Sequence, residues 1–99
     1  MTVHELKIAP KWFEAVVRDD KRFEVRKSDR SYNVGDFLQL NEWDDEREEF
    51  TGRRTVATII YILTSEDFPQ GIRDGYSIIG FKHLWYYAQM GAPAEEVPE

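Results

Sequence analysis

A single apolar run in the middle of the chain limits the folds open to this sequence more than any other feature. Residues 54–63 read Arg-Thr-Val-Ala-Thr-Ile-Ile-Tyr-Ile-Leu and are rich in β-branched side chains, which favour β-strands. A strand that is apolar along nearly its whole length is typical of a sheet interior, because both of its faces are then covered. We therefore expect residues 54–63 to form the central, doubly covered strand of a sheet.

One short amphipathic helix precedes this strand. Pro10 suits the first turn of a helix, where its missing N–H is not needed. An apolar stripe at helical spacing predicts a helix over about residues 10–18, ended by Asp19-Asp20. The stripe consists of Ile8, Trp12, Phe13, Val16 and Val17. We expect both aromatic residues of this stripe to be core residues.

The other strands follow from alternation and from turn signals. Residues 22–27 alternate, with Phe23 and Val25 on one face and the charged side chains on the other. Residues 3–8 form a short strand or an extended lead-in, and further strands are expected at residues 37–43 and 76–81. Turn-forming residues predict a turn at 33–36, an acidic hairpin loop at 44–49 and a loop at 64–75. Gly52 is expected at a bulge in the strand that returns from the hairpin.

One early helix and about five short strands predict an α+β fold, a small β-barrel with the N-terminal helix packed on it. At 99 residues the chain is long enough for one small domain. We expect that domain over residues 1–90 and a flexible acidic tail over residues 91–99. Residues 85–87, Trp-Tyr-Tyr, either extend the last strand or cover one end of the barrel.

The charge balance argues against an indiscriminate binder of nucleic acid. The chain has 13 Lys and Arg against 19 Asp and Glu, a formal net charge of -6, whereas such binders are normally basic. The acidic side chains are concentrated in residues 44–49, and basic ones are concentrated in residues 21–30. Because a charged patch acts over roughly one Debye length, about 8–10 Å, the sequence still permits a small and selective basic site.

Several kinds of site are disfavoured by what the sequence lacks. There is no Cys, and two His residues are too few for a credible transition-metal site. The acidic run lacks the ligand spacing of an EF-hand, and there is no Gly-rich phosphate loop. We therefore expect no metal and no cofactor. No stretch reaches the roughly 20 apolar residues of a membrane span, and no signal peptide is evident, so we expect a cytoplasmic protein of a bacterium or phage with no membrane partner.

The segment after the helix resembles the signature of a known family. Residues 19–26, Asp-Asp-Lys-Arg-Phe-Glu-Val-Arg, are similar to the G-x-K-x-x-E-x-R signature of the ASCH domain, a branch of the PUA-like superfamily. Asp19 stands where that signature usually has Gly. Further pieces resemble a group of small bacterial and phage ASCH-like proteins known as DUF3850. They lie at residues 4–7, 12–16, 26–30, 34–42, 51–53 and 71–79, so that the resemblance covers roughly residues 3–82.

The resemblance implies both a fold and a function. It implies a PUA-like (ASCH) open β-barrel with the N-terminal helix beside a cleft, and a role in binding RNA. A more distantly similar ASCH-type enzyme removes the acetyl group from N4-acetylcytidine, and it shares the lysine at Lys21 and the arginine at Arg26. That enzyme has a threonine nucleophile where this chain has Glu24, so the resemblance does not carry its hydrolytic mechanism over.

Seven residues in and near the signature are candidates for contacting RNA: Lys7, Lys21, Glu24, Arg26, Lys27, Arg30 and Tyr32. Arg presents two parallel donors to a phosphate or a base edge, Lys presents a point charge, and a Tyr ring stacks on a base. Glu24 would accept a hydrogen bond from a base amino group while Arg26 holds a phosphate or carbonyl. In the alternative interpretation, Glu24 and Arg26 form a structural ion pair, and Lys27 and Arg30 are solvated surface residues.

Three functions remain open at this point. The first is a domain that binds single-stranded RNA, or one modified nucleotide, in a basic cleft. The second is a small amidohydrolase acting on an N4-acylated cytidine-type nucleoside, in which Lys21 polarises or deprotonates and Glu24 is the general acid or base. The third is a protein-interaction domain that uses residues 44–49 and 85–87.

Overall fold

The computed structural model describes residues 1–84, and within them it contains one helix and five strands at the predicted places. In chain order the elements are β1 (Val3–Ile8), α1 (Pro10–Val17), β2 (Phe23–Lys27), β3 (Phe37–Asp44), β4 (Glu49–Thr64) and β5 (Tyr76–His83). The predictions for residues 85–87 and for a tail at residues 91–99 lie outside the described residues.

The strands form one sheet with β4 at its centre, as predicted. Their order is β1-β3-β4-β5-β2, so β1 and β2 are the two edge strands. β1 runs parallel to β3, and the other neighbouring pairs are antiparallel. The sheet curls into a half-barrel, which brings its edges together on one side. Arg26 Nη2 on β2 donates a hydrogen bond of 2.6 Å to the backbone oxygen of Lys7 on β1.

One face of the sheet, together with α1, forms the hydrophobic core. The sheet contributes Leu6, Ile8, Leu38, Leu40, Ala57, Ile59, Ile79 and Phe81. The helix contributes Phe13 and Val16. Because each large apolar side chain that is fully buried stabilises the fold by about 1.5–3 kcal/mol, this cluster is the main source of stability.

β4 is central but is not covered on both faces along its whole length, contrary to the prediction for residues 54–63. Val56, Ala57 and Ile59 are buried, whereas Ile60 and Tyr61 are 55% and 65% exposed. The pairing register between β4 and β5 shifts between Ile59 and Tyr61. The helix α1 packs against the core face of the sheet. On the opposite face of the sheet, nothing covers β4 at Ile60 and Tyr61, which are therefore open to solvent.

Gly52 lies in a bulge of the β3–β4 hairpin, as predicted. Asn41 pairs with Arg54, but beyond that pair the register shifts, so that residues 51–53 of β4 face the single residue Glu42 of β3. Gly52 has a φ of 95°. Glycine adopts this left-handed region at little steric cost, which is why it suits the bulge.

The helix α1 docks on the core through a narrow stripe. Phe13 and Val16 are fully buried, but Trp12 is 47% exposed, so the prediction that Trp12 is a core residue is wrong. Successive residues of an α-helix are about 100° apart around its axis. Trp12 therefore lies at the margin of a stripe whose centre is Phe13.

The helix ends at a residue with left-handed backbone geometry. Asp19 has a φ of 64°, and its N–H donates to the carbonyl oxygen of Val16 at 2.9 Å. Asp tolerates this region better than most residues that have a Cβ. Its carboxylate also accepts a hydrogen bond of 2.9 Å from Arg22 Nη2. The left-handed turn directs the chain into β2.

Replacing Phe13 with Ala should destabilise the protein strongly, because the Phe13 ring is fully buried between α1 and the sheet. We expect the free energy of unfolding, measured by urea denaturation at neutral pH, to fall by about 3–5 kcal/mol. Trp12→Ala is the matched control and should cause less than half of that loss, because Trp12 is 47% exposed. Equal losses for the two variants would contradict this packing.

Candidate functional site

The signature strand β2 turns its charged face inwards. Phe23 and Val25 are 46% and 54% exposed, whereas Glu24 between them is 5% exposed. The alternation predicted for residues 22–27 is therefore present, but the apolar side chains face solvent and the charged ones face the fold. A buried charge is costly unless it is paired and hydrogen-bonded, so this arrangement requires specific partners.

Glu24 has a cation on each side. Its Oε1 accepts hydrogen bonds from Arg26 Nε at 3.1 Å and from Arg26 Nη2 at 2.9 Å. Its Oε2 accepts a hydrogen bond from Lys21 Nζ. Charge-assisted hydrogen bonds of this kind are the strong ones in proteins. The geometry matches the structural ion pair foreseen as an alternative, and it leaves Glu24 little capacity to accept from a base.

Arg26 also joins the two edges of the sheet. The same Nη2 atom that donates to Glu24 donates to the backbone oxygen of Lys7 at 2.6 Å. Because β1 and β2 are the edge strands, this hydrogen bond crosses the open side of the half-barrel. The Arg26 guanidinium is therefore fixed between the two edges by partners from both strands.

A cleft of about 360 Å³ lies at this opening. It brings together five of the seven predicted RNA-contacting residues, namely Lys7, Arg26, Lys27, Arg30 and Tyr32. The other lining residues are Glu5, Leu6 and Asp29, none of which was predicted from the sequence. Glu5 is two positions from Lys7 on β1, and Asp29 lies between two basic candidates. For Glu5 and Asp29, a position close to predicted site residues was the only feature of the sequence that could have indicated a place in the cleft.

The two remaining candidates line a neighbouring depression of about 320 Å³. Lys21 and Glu24 meet there, and the other lining residues are Trp12, Phe23 and Val25. Direct contact between Lys21 and Glu24 is the geometry that the amidohydrolase hypothesis requires. The structure thus divides the seven candidates between two adjacent sites, which the ion pair of Glu24 with Arg26 connects.

Tyr32 is held in the cleft by a buried histidine. The rings of Tyr32 and His4 lie 4.7 Å apart between centroids, with an angle of 52° between their planes. His4 is 4% exposed, and its Nε2 lies 2.9 Å from Asp36 Oδ2. Burial raises the pKa of the Tyr32 hydroxyl, so this group is neutral at physiological pH. Tyr32 therefore offers the cleft an uncharged ring in a fixed position.

Asp36 organises this side of the cleft from within the fold. Its carboxylate accepts hydrogen bonds from the backbone N–H groups of Thr2 and Asn33 at 3.0 and 3.1 Å, in addition to the one from His4. The hydrogen bond with His4, followed by that with Thr2, holds the pKa of Asp36 below its usual range. Asp36 thus ties the N-terminal strand to the loop that carries Tyr32. The only feature of the sequence that could have indicated this role of Asp36 was its position in the predicted turn at 33–36.

Lys7 brings its charge to the rim of the cleft. Its Nζ lies 3.7 Å from the centroid of the Trp43 ring and 5.8 Å from that of Phe50. A cation over an aromatic face at an exposed site is stabilised by about 0.5–1 kcal/mol. These contacts hold the Lys7 ammonium where β1 meets the base of the β3–β4 hairpin.

Residues 1–84 hold neither a cluster of metal ligands nor a membrane-spanning helix. No group of three or more His, Asp or Glu side chains in this part of the chain is arranged to hold a metal ion. No helix there is long and apolar enough to cross a bilayer. The protein-interaction hypothesis depends in part on residues 85–87, which lie outside the described residues, and it stays a hypothesis.

Comparison with known proteins gives two matches. The family described as "Domain of unknown function (DUF3850)" matches residues 3–81. A protein of Escherichia phage P2, described as "Uncharacterized 12.9 kDa protein in GpA 3'region", is 41% identical over 66 residues. The aligned part is 67% of this chain, and the chain spans 59% of the length of that relative. Neither description names an activity, a ligand or a partner.

Acid should destabilise the fold in part through Asp36. Its folded-state pKa lies below the ordinary value of 3.8, so its carboxylate stabilises the fold fully above that pH. This contribution is lost as the pH falls through the folded-state pKa. Asp36→Asn should therefore be less stable than the natural protein at neutral pH and should lose less further stability below about pH 4, as measured by urea denaturation at each pH.

The control for this experiment is Asp45→Asn, at the exposed turn of the β3–β4 hairpin. It should keep the acid dependence of the natural protein, because Asp45 makes no ion pair within the described residues. An Asp36→Asn variant with unchanged acid dependence would show that Asp36 is not linked to folding in this way.

Proposed function

This chain belongs to the DUF3850 family, as its sequence predicts, and we propose that it binds single-stranded RNA or one modified nucleotide in the cleft between β1 and β2. The proposal rests on the chemistry of the cleft, since the family description names no activity. Its main support is that four cationic side chains and one aromatic ring line a single opening in a protein whose net charge is -6.

We also propose that the half-barrel is of the PUA-like ASCH type. The three charged residues that carry the resemblance, Lys21, Glu24 and Arg26, form one continuous ion-paired chain beside the cleft. Asp19, at the usual Gly position of the signature, has a φ of 64°, which Gly adopts readily. A crystal structure whose strand order differs from that of ASCH domains would contradict this assignment.

The charge of the cleft favours an anionic ligand. Its lining carries four cations, Lys7, Arg26, Lys27 and Arg30, against the carboxylates of Glu5 and Asp29, and even with Arg26 offset by its ion pair to Glu24 the local charge stays positive. Lys27 and Arg30 are exposed, so that phosphate oxygens have access to them. A local positive site on an acidic protein attracts a short anion without attracting polyanions in general.

The size of the cleft favours a single strand. Its volume of about 360 Å³ is near the lower end of the range for small-ligand pockets, roughly 300–1,000 Å³. A base has to be unpaired before it enters a pocket of this kind, which is the usual mode of sequence-specific RNA recognition. The acidic hairpin that follows Trp43, the ring under Lys7, disfavours the approach of longer polyanions from that side.

Each candidate residue has a distinct part in the proposed site. Lys27 and Arg30 hold phosphate oxygens, and Tyr32 stacks on the base. Arg26 presents a guanidinium that is already oriented by its hydrogen bonds. Glu24 is a positioning residue, because all of its observed hydrogen bonds are used to hold Lys21 and Arg26.

Removing Lys27 and Arg30 together should weaken RNA binding and reduce its salt dependence. Binding of a short fluorescein-labelled single-stranded RNA is measured by anisotropy over a series of salt concentrations. Each phosphate contact that is lost should lower the slope of log K against log salt by about 0.7. We therefore expect the Lys27→Ala, Arg30→Ala variant to have a slope smaller by about 1.4 than that of the natural protein.

The matched control is the double variant Arg47→Ala, Arg73→Ala. It removes the same charge from two exposed positions that do not line the cleft. It should keep the natural slope to within measurement error. The proposal fails if the natural protein shows no binding at low salt, or if both double variants change the slope equally.

The contact between Lys21 and Glu24 supports amidohydrolysis as a second candidate function. A general base has to accept a proton, however, and the Glu24 oxygens already accept three hydrogen bonds from two cations. We therefore expect no release of acetate when the protein is incubated with N4-acetylcytidine. Turnover that Glu24→Gln abolishes and Lys27→Ala, Arg30→Ala retains would replace the binding proposal with the enzymatic one.

A further inference from the structure

The side of the sheet that points away from the core carries two exposed aromatic residues with a glycine between them. The strand register places Phe23 of β2 beside Gly80 of β5, and Gly80 beside Tyr61 of β4. The neighbours of Gly80 along β5, Ile79 and Phe81, are buried in the core, so Gly80 points outwards. The solvent-facing side of β2, β5 and the second half of β4 is here termed the outer face.

Neither backbone geometry nor packing within residues 1–84 requires a glycine at position 80. Gly80 does not have the positive φ that three other glycines of the chain show. A Cβ on Gly80 would lie 3.5 Å from the backbone oxygen of Tyr61 and 3.8 Å from its Cβ, which are ordinary van der Waals distances. Glycine inside a strand weakens it and often marks a place where a ligand approaches closely. Its effect here is to keep a gap between Phe23 and Tyr61.

The gap suits one flat group. Neighbouring strands lie about 4.8 Å apart, so the backbones of β2 and β4 are about 10 Å apart on either side of Gly80. A planar group held between two rings needs about 7–8 Å between the ring planes, because carbon atoms in contact are about 3.5–4.0 Å apart. Lys21 Nζ lies 5.0 Å from the centroid of the Phe23 ring, a cation–π contact that helps to hold this wall of the gap.

The charge of the outer face favours an anionic strand. Lys27 and Lys82, both exposed, are the only charged residues at the outward positions of β2, β5 and residues 58–64, so these positions carry no carboxylate. Acidic residues that flank these strands, such as Asp20 and Asp74, lie in turns. Exposed aromatic rings on a sheet, with cations beside them, are the chemistry on which the bases of single-stranded RNA stack.

Lys27 connects the outer face with the cleft. It lines the cleft, and it lies on the same side of β2 as Phe23 and Val25. Along the strand, Lys27 is about 13 Å from Phe23. We propose that single-stranded RNA leaves the cleft past Lys27 and inserts one base between Phe23 and Tyr61, over Gly80. This inference rests on the proposed function and extends it with a second contact that tolerates any base, since every base has a flat face.

Removing one ring tests the stacking contact. The ligand is a fluorescein-labelled oligouridine of about eight nucleotides, within the site sizes of about 4–16 nucleotides that single-strand binding folds occupy. Tyr61→Ala should weaken its binding, measured by anisotropy at low salt, at least about fivefold. The slope of log K against log salt should stay unchanged, because no phosphate contact is lost. Tyr61→Phe keeps the ring and should bind like the natural protein.

The matched control is Ile60→Ala. Ile60 precedes Tyr61 on β4, and the two residues are exposed to similar extents, 55% and 65%. Ile60 has no ring on which a base can stack, so Ile60→Ala should bind the oligouridine like the natural protein. A surface that binds a partner by apolar contact alone would respond equally to the two substitutions.

Filling the gap gives a second and independent test. Gly80→Val places a side chain between Phe23 and Tyr61, and it should weaken binding of the oligouridine about as much as Tyr61→Ala does. The urea midpoint of Gly80→Val should be unchanged or higher, because glycine is unfavourable inside a strand. The double variant Tyr61→Ala, Gly80→Val should bind no more weakly than either single variant, since both changes remove the same contact. If Gly80→Val does not fold, the comparison of Tyr61→Ala with Ile60→Ala decides the question.

The possible results separate the two proposals. If the natural protein binds the oligouridine and Tyr61→Ala binds it equally well, the outer face is not part of the site and RNA binding by the cleft stands. Equal losses in Tyr61→Ala and Ile60→Ala would overturn base stacking in favour of a partner that binds by apolar contact. If the natural protein binds no strand at low salt, both proposals are wrong.

Discussion

The buried carboxylate of Glu24 is the interaction on which the rest of the site depends. It lies on an edge strand and faces inwards, so it has to be paired, and Lys21 and Arg26 are the cations that pair with it. A buried ion pair adds little net stability, but removing one partner is strongly destabilising because the other charge is then left unpaired. The ion pairs of Glu24 therefore fix the positions of the Lys21 and Arg26 side chains more than they add to the stability of the fold. The hydrogen bonds to Glu24 orient the Arg26 guanidinium towards β1, where it donates to the backbone oxygen of Lys7.

The cleft exists because the two edges of the sheet approach each other without pairing. A side-chain bond from Arg26 takes the place of a backbone ladder between β1 and β2, which leaves room for ligand between the edges. The opposite side of the opening is held by Asp36, which joins His4 of β1 to the loop that carries Tyr32. Both sides of the cleft thus rest on buried carboxylates, which hold Arg26 on one side and, through His4, the ring of Tyr32 on the other.

Local patterns explain which parts of this arrangement were predictable. The helix at Pro10, the left-handed stop at Asp19 and the bulge at Gly52 depend on a few neighbouring residues, and all three appear where the sequence indicates them. Exposure was less predictable, because it depends on what packs against each face. Trp12 lies on the apolar stripe yet is half exposed, and Tyr61 extends the apolar run of β4 into solvent.

The amino-acid order alone determined the elements, the central place of β4 and the cluster of candidates around residues 21–32, because periodicity and turn chemistry act over short separations. It also contained the alternation of β2, but not which face of that strand is buried. Which face of β2 is buried is decided only in the folded molecule, because the curl of the sheet brings β2 opposite β1 and makes burial of Glu24 possible. The same long-range approach brings Lys7 to Arg26 and leaves Arg54 buried without a partner in the described part of the chain. Contacts between residues far apart in the chain have no local signature, so only the tertiary structure reveals them.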